Sequence, residues 1–174
     1  MSIELERVAD SSEIEQLLDD AFGKERLQKT VYRLRDGRPP VADLCFVIRD
    51  GDGAMRGSLR FWTVCAGSVV NALLLGPIAV RPGDRGYGYG RALMWHGLAE
   101  AKRYGYGLVI LVGDEPYYGQ FGFRRHLAQS LTLPGPYEPD RLLALELSPG
   151  AAAQACGAVT APHASVAEKA AGLS

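Results

Sequence analysis

No stretch of the chain comes near the roughly 20 uninterrupted apolar residues that a helix needs to cross a bilayer. The opening residues, MSIELERVAD, are acidic where a secretory signal would be basic and then apolar. A cytoplasmic protein without membrane contact is the default expectation. Cysteine is scarce: Cys45, Cys65 and Cys156 form no CxxC pair and share no metal-ligand spacing with His96, His126 or His163. Free thiols and no bound metal are therefore expected. An excess of charge is also lacking, with 19 Lys and Arg against 20 Asp and Glu, and a net charge of −1 argues against a nucleic-acid surface. Internal repeats are absent. What remains is 174 residues, 47% hydrophobic and 22% charged, suited to one core and too apolar for disorder.

Periodicity predicts the elements. Ile3 and Leu5 alternate as a short strand, and Ser11 or Ser12 caps a helix carrying Ile14, Leu17, Leu18 and Phe22 on one stripe. Lys24 to Leu34 reads as a second helix ended by GRPP. Three strand-like runs follow, Val41 to Arg49, Met55 to Ala66 and Val69 to Val80, separated by DGDG and AGS as an antiparallel meander. Then come a glycine-rich turn, a helix from about Tyr89 to Tyr104, a strand at Leu108 to Val112, a short helix at Glu115 to Phe121 and a strand at Leu142 to Leu147. The order is β-α-α-β-β-β-α-β-α-β. Residues 1–148 form the expected domain. Residues 149–174, rich in Ala, Gly, Ser and Pro, read as a tail in which a short helix at Ser165 to Ala171 would need a neighbour to dock on.

The most informative segment is LLGPIAVRPGDRGYGYGRAL at residues 74–93, with Gly86, Gly88 and Gly90 alternating through a strand-to-helix turn. Glycine lets main chain approach a ligand closely, and the first turn of a helix leaves about four N–H groups unpaired with roughly half a positive charge. Such a turn suits a phosphate. A Walker loop would need GxxxxGK with Ser or Thr, and neither the lysine nor the hydroxyl is present. A dinucleotide fingerprint GxGxxG fails too, because the third position falls on Arg91 or on Leu93.

A third pattern fits. Arg85, Gly88 and Gly90 satisfy Q/R-x-x-G-x-G/A, and about 30 residues on stands YYGQFGF at 117–123, within a segment that reads GDxxYYxxFGF from Gly113. In both motifs and in element order, from about Ile3 to Leu147, the chain resembles the GNAT superfamily of acyl-CoA-dependent N-acyltransferases, particularly a bacterial branch. The resemblance implies an α/β (α+β) fold with a mixed, mostly antiparallel sheet of roughly six or seven strands flanked by about four helices. It implies acetyl-CoA as co-substrate and a primary amine, of a small molecule or a protein, as acceptor. By the same resemblance the cofactor's diphosphate lies over the amides of Gly86, Tyr87, Gly88, Tyr89, Gly90 and Arg91. Its pantetheine arm adds alongside Ile78, Ala79 and Val80, where the Ile78 amide serves as an oxyanion donor. Tyr118 matches the family's tyrosine and is the expected general acid, while Tyr117 is the member of the pair expected to seat its ring in the core.

Other residues are read from their own chemistry. Gly76-Pro77 predicts a break in strand pairing, since proline donates nothing to a ladder. Arg85 and Arg91 flank the turn and suit phosphates, whereas Arg81 is less clearly placed. No carboxylate occurs in the strand segment 71–75 to act as base, and Asp114 and Glu115 are expected to cap the short helix. His96 lies off the Met94, Gly97, Leu98 and Ala101 stripe and reads as a surface imidazole. Cys65 has no basic partner in its strand, so direct transfer is expected over an acyl-enzyme. Acids in residues 4–20 hint weakly at a cationic acceptor. The missing carboxylate keeps a non-catalytic acyl-CoA sensor as the alternative, and a homodimer is left open.

Overall fold

The computed structural model of the chain describes residues 1–162, with the backbone alone at Val70. The expected helix at 165–171 and His163 lie outside the described residues. The sheet runs in the order β1 (Ser2–Leu5), β2 (Phe46–Arg49), β3 (Met55–Ala66), β4 (Val69–Val80), β5 (Leu108–Val112), β7 (Leu142–Glu146). Two further strands, β6 (Leu131–Thr132) and β8 (Gly157–Thr160), lie off this path. Four α-helices are described: α1 (Ser11–Phe22), α2 (Thr30–Arg33), α3 (Tyr89–Arg103) and α4 (Glu115–Tyr118). The sheet is mixed and mostly antiparallel, as expected. No helix among the described residues is long and apolar enough to cross a membrane.

The chain divides into two compact units. The first comprises Met1–Lys29, Gly37–Trp62 and Leu75–Gly105. Its β1 and β2 pair antiparallel from Ser2↔Arg49 to Leu5↔Phe46, and β2 pairs β3 with a bulge between Ile48 and Arg49. The apolar stripe of α1, Ile14, Leu17 and Leu18, packs on Val47, Met55 and Ala79, all at most 3% exposed. Helix α3 buries Met94, Gly97, Leu98 and Ala101, the expected stripe. Gly97 lets the helix sit down, since a Cβ there would come within 2.7 Å of Leu59 and 2.8 Å of Phe61.

The second unit comprises Thr30–Asp36, Thr63–Leu74 and the chain from Tyr106 onward. The run LVILV of β5 is buried on both faces, with Leu108, Val109, Ile110 and Leu111 at most 2% exposed, as such an uninterrupted apolar run requires. It pairs parallel with β4 from Ala72↔Leu108 to Leu74↔Ile110, and antiparallel with β7 from Leu108↔Glu146 to Val112↔Leu142.

Several sequence expectations are corrected. Residues 24–34 are a 3-10 turn (Lys24–Gln28) and the single-turn α2, divided at Lys29, whose ψ of 144° is extended. Arg26 is turned inward there to Glu15 at 2.5 Å and Asp19 at 3.0 Å on the preceding helix α1, contacts that helix propensity does not take into account. Residues 41–45 form a tight turn rather than strand, closed by Leu44 N–H to Val41 C=O at 2.9 Å. Neither serine caps α1: the helix begins at Ser11 and follows a 3-10 turn whose Asp10 accepts the Arg7 N–H.

Within the expected tail, β8 pairs Cys65 and Ala66 of β3 and runs parallel to β6, with Val159 fully buried. Small residues serve in that ladder because it is held by main-chain bonds. Gly67, at φ 64°, is required where a Cβ would strike the Cys156 carbonyl.

Gly57 supplies a stability test. A Cβ there would stand 2.7 Å from the Ala79 carbonyl oxygen, so backbone must shift to admit it. Gly57→Ala should lower stability by about 1–3 kcal/mol, read as a lower urea midpoint at unchanged slope. An unchanged midpoint would contradict that close approach.

Candidate active site

The glycine turn lies entirely in the first unit. Strand β4 leads through a 3-10 turn at Pro82–Asp84 to Gly86 (φ 89°) and Gly88 (φ 86°), both in the left-handed region that favours glycine. Gly88 is the N-cap of α3 and brings no side chain to cap it. A Cβ at Gly86 or Gly88 would meet nothing within 4 Å, so backbone angle dictates glycine at both and the space over the turn is open.

The first hydrogen bond of α3 runs from Ala92 N–H to Gly88 C=O at 2.9 Å. The amides of residues 86–91 thus have no acceptor among the described residues, the arrangement that makes a helix start an anion site. Arg85 and Arg91 are exposed and carry no carboxylate partner among the described residues. Arg81 differs, being bound to Glu13 at 2.8 Å. Only one side chain of the turn is buried. Tyr89, 9% exposed, donates its hydroxyl to Asp50 Oδ2 at 3.0 Å, whereas Tyr87 is 74% exposed. Burial, and then the Asp50 carboxylate, hold the Tyr89 phenol above its ordinary range.

The end of β4 is irregular, as Gly76-Pro77 predicted. Gly76 has φ 125°, its bond to Pro77 is cis, and its carbonyl accepts the Trp62 indole N–H at 2.8 Å. Past this point Ala79 is buried at 3% exposure, while Ile78 and Val80 are partly exposed. Arg81 N–H bonds to Arg56 C=O at 2.9 Å, which ties β3 to the strand end.

In the second unit, Gly113, Tyr118 and Gly122 show why their motif has its spacing. Tyr118 lies against Gly113, where a Cβ would collide with its ring, and meets Phe123 edge-on at 6.2 Å. Gly122, at φ 98°, ends the segment in the left-handed region. The Tyr118 hydroxyl has no partner among the described residues. Burial first, then Tyr117, push its phenol from 10 up to about 12.

Three site expectations fail. Tyr117 is the more exposed of the pair at 44%, its ring meeting Tyr118 at 4.9 Å and Phe121 at 5.8 Å. Neither acid caps α4 through its side chain: Asp114 binds Arg141 at 3.0 Å, and Glu115 accepts the Arg125 N–H at 3.4 Å. His96 is half-buried and edge-on to Phe46 at 4.7 Å.

Most α1 acids are tied to arginine as well, Glu13 to Arg81, Glu15 to both Arg26 and Arg60, and Asp19 to Arg26, while Asp20 accepts from Gln16. Cys45 and Cys65 are buried and in no disulfide, and burial pushes Cys45 up to about 12. Sequence reasoning missed Asp50, Arg56 and Asp84 beside the turn; the only signal was the acidic DGDG hairpin.

The family model for the acetyltransferase (GNAT) domain matches residues 4–125. This chain belongs to the GNAT acetyltransferase family. The matched stretch contains both the glycine turn and YYGQFGF. Among solved structures, a GNAT-family N-acetyltransferase of Escherichia coli in complex with CoA is 26% identical, with a TM-score of 0.79 over 92% of this chain and 89% of that one. A GNAT-family acetyltransferase of Brucella melitensis in complex with acetyl-CoA is 27% identical, with a TM-score of 0.70 over 94% and 96%. The ribosomal-protein-S18-alanine N-acetyltransferase of E. coli, 20% identical at TM-score 0.60 over 84% and 94%, shares the fold. No curated protein matches the chain.

A phenol raised to about 12 holds its proton in the folded GNAT domain while the unfolded chain releases it from pH 10, so stability falls as pH rises across that window. Ultraviolet titration of the chain against its Tyr118→Phe variant should differ by one phenolate step near 12. A step near 10 would contradict the burial of this hydroxyl.

Proposed function

We propose that this GNAT enzyme transfers an acetyl group from acetyl-CoA to a primary amine by direct attack. The open amides of residues 86–91 carry the reading. They form a concentrated set of main-chain donors at a helix start, with two unpaired arginines beside it. The turn holds the diphosphate, and Arg85 and Arg91 add charge-assisted bonds to its oxygens. Ile78, Ala79 and Val80 offer main chain to the amides of the pantetheine arm, as a strand would to an added strand. The Ile78 N–H stabilises the oxyanion that forms on the thioester carbonyl. Complexes of similar proteins with CoA and acetyl-CoA support this choice of co-substrate.

Three proton movements follow. An alkyl amine, with a pKa of about 10.4, must lose a proton before attack. With no carboxylate at 71–75, that proton passes to water. The amine then attacks, the added nitrogen gives up its second proton to solvent, from which the phenol of Tyr118 is later reprotonated, and the tetrahedral centre collapses with cleavage of the carbon–sulfur bond. Tyr118 donates its proton to the departing sulfur; burial keeps its hydroxyl protonated at neutral pH, which meets the first requirement of an acid. A covalent acyl-cysteine is disfavoured because burial holds the Cys45 thiol protonated and Cys65 is also buried.

Thiol release from acetyl-CoA, measured across a panel of amines, tests this function. Release that depends on one class of amine is expected; silence with every amine despite tight acetyl-CoA binding would favour the sensor. Tyr118→Phe should lower kcat by about a hundredfold while CoA still binds. Full turnover in that variant would remove Tyr118 from its role as acid.

A further inference from the structure

The segment 85–91 has almost nothing to hold it. Gly86, Gly88 and Gly90 have no side chain, Arg85 and Arg91 are exposed without a carboxylate partner among the described residues, and the exposed Tyr87 meets only the ring of Tyr89, at 6.4 Å. Yet an anion cradle made of amides works only if those amides converge, so something outside the segment must set their aim.

Both ends of the segment are tied to one cluster on the β2–β3 hairpin. At the entry, Asp84 meets Arg56 at 3.4 Å. At the exit, Tyr89 donates to Asp50. The cluster closes on itself, since Arg56 is also 3.8 Å from Asp50 and 2.6 Å from Asp52. Asp50 is aimed by its own turn: Oδ1 accepts the Gly51 N–H at 2.8 Å, leaving Oδ2 for the phenol. Gly53 N–H to Asp50 C=O at 2.9 Å and Ala54 N–H to Asp52 Oδ1 at 2.9 Å stiffen the hairpin.

Charge makes this arrangement informative. Three carboxylates against one guanidinium leave an excess of negative charge beside a turn suited to a diphosphate, which by field alone weakens anion binding. Acids at this place therefore do not serve attraction.

We infer that Asp50 is a positioning residue for the co-substrate: through the Tyr89 hydroxyl it pins the first turn of α3, with Arg56 bracing Asp84 at the other end, so that the amides of residues 86–91 converge on the diphosphate. This inference rests on the acetyl-CoA reading above. It assigns a binding role to a hairpin that carries no part of either motif.

Field and positioning predict opposite signs. Removing the Asp50 carboxylate tightens CoA binding if charge alone matters and weakens it if the pin matters. Calorimetric Kd values for CoA, on the full chain, provide the test. Asp50→Ala and Tyr89→Phe should each weaken binding about three- to tenfold, the scale of one hydrogen bond.

The double variant should be no weaker than the worse single one, because both remove the same bond. Asp50→Asn should recover most of the loss, since the Tyr89 oxygen accepts from an amide as well as it donates. A purely structural role would lower the melting temperature of these variants and leave their Kd values alone, which would overturn the inference. Tighter binding by Asp50→Ala, or additive losses in the double variant, would overturn it also. Absence of CoA binding by the unaltered chain would sink the acetyl-CoA reading itself, and this inference with it.

Discussion

Main-chain N–H groups that no carbonyl answers are costly when buried and useful when a ligand can answer them. The amides of residues 86–91 are of the second kind. They stand at the positive end of a 15-residue helix, where Gly86 and Gly88 hold left-handed angles and no side chain would meet a neighbour within 4 Å at either glycine. Backbone donors need no rotamer ordering when they bind, so a turn of this kind grips an anion with little entropic loss. The remaining features of the first unit bear on keeping that turn in place. Gly57 lets β3 approach the Ala79 carbonyl, Gly97 lets α3 settle on Leu59 and Phe61, and the buried Tyr89 ring anchors the helix start.

Tyr118 belongs to a different local logic. Its ring packs on Gly113 and Phe123, which buries the phenol enough to raise it while leaving the oxygen without a partner in the described chain. A group so placed keeps its proton at neutral pH. The acids and thiols elsewhere point the same way. Asp114, Glu13 and Glu15 are committed to arginines, and Cys45 is held as a neutral thiol. The proposed chemistry thus rests on one phenol, main-chain donors and solvent rather than on a charged triad.

Much of this was legible in sequence where local rules decide. Strands β3, β4 and β5 lie where their apolar runs begin and end, because turn residues bound them sharply. The glycine turn was legible because only glycine takes those angles cheaply, and a helix start after it is a local property. What sequence hid depends on distant partners. Arg26, where the second helix was expected, reaches Glu15 and Asp19, and β8 joins the sheet through main-chain bonds that a run of small residues does not advertise. The exposures of Tyr117 and Tyr118 depend on which ring meets Gly113, and the Asp50–Arg56–Asp84 cluster on a hairpin folding back beside the turn. No local pattern encodes either.

The central claim is that the co-substrate's diphosphate is held by main-chain donors just past Val80. Titration of the ¹⁵N-labelled chain with CoA, followed by amide proton shifts, addresses it directly. The largest downfield shifts should fall on the amides from Gly86 to Arg91, and desulfo-CoA, which keeps the diphosphate, should reproduce them. If CoA binds and those amides stay unmoved while another segment shifts, the account of this site is wrong.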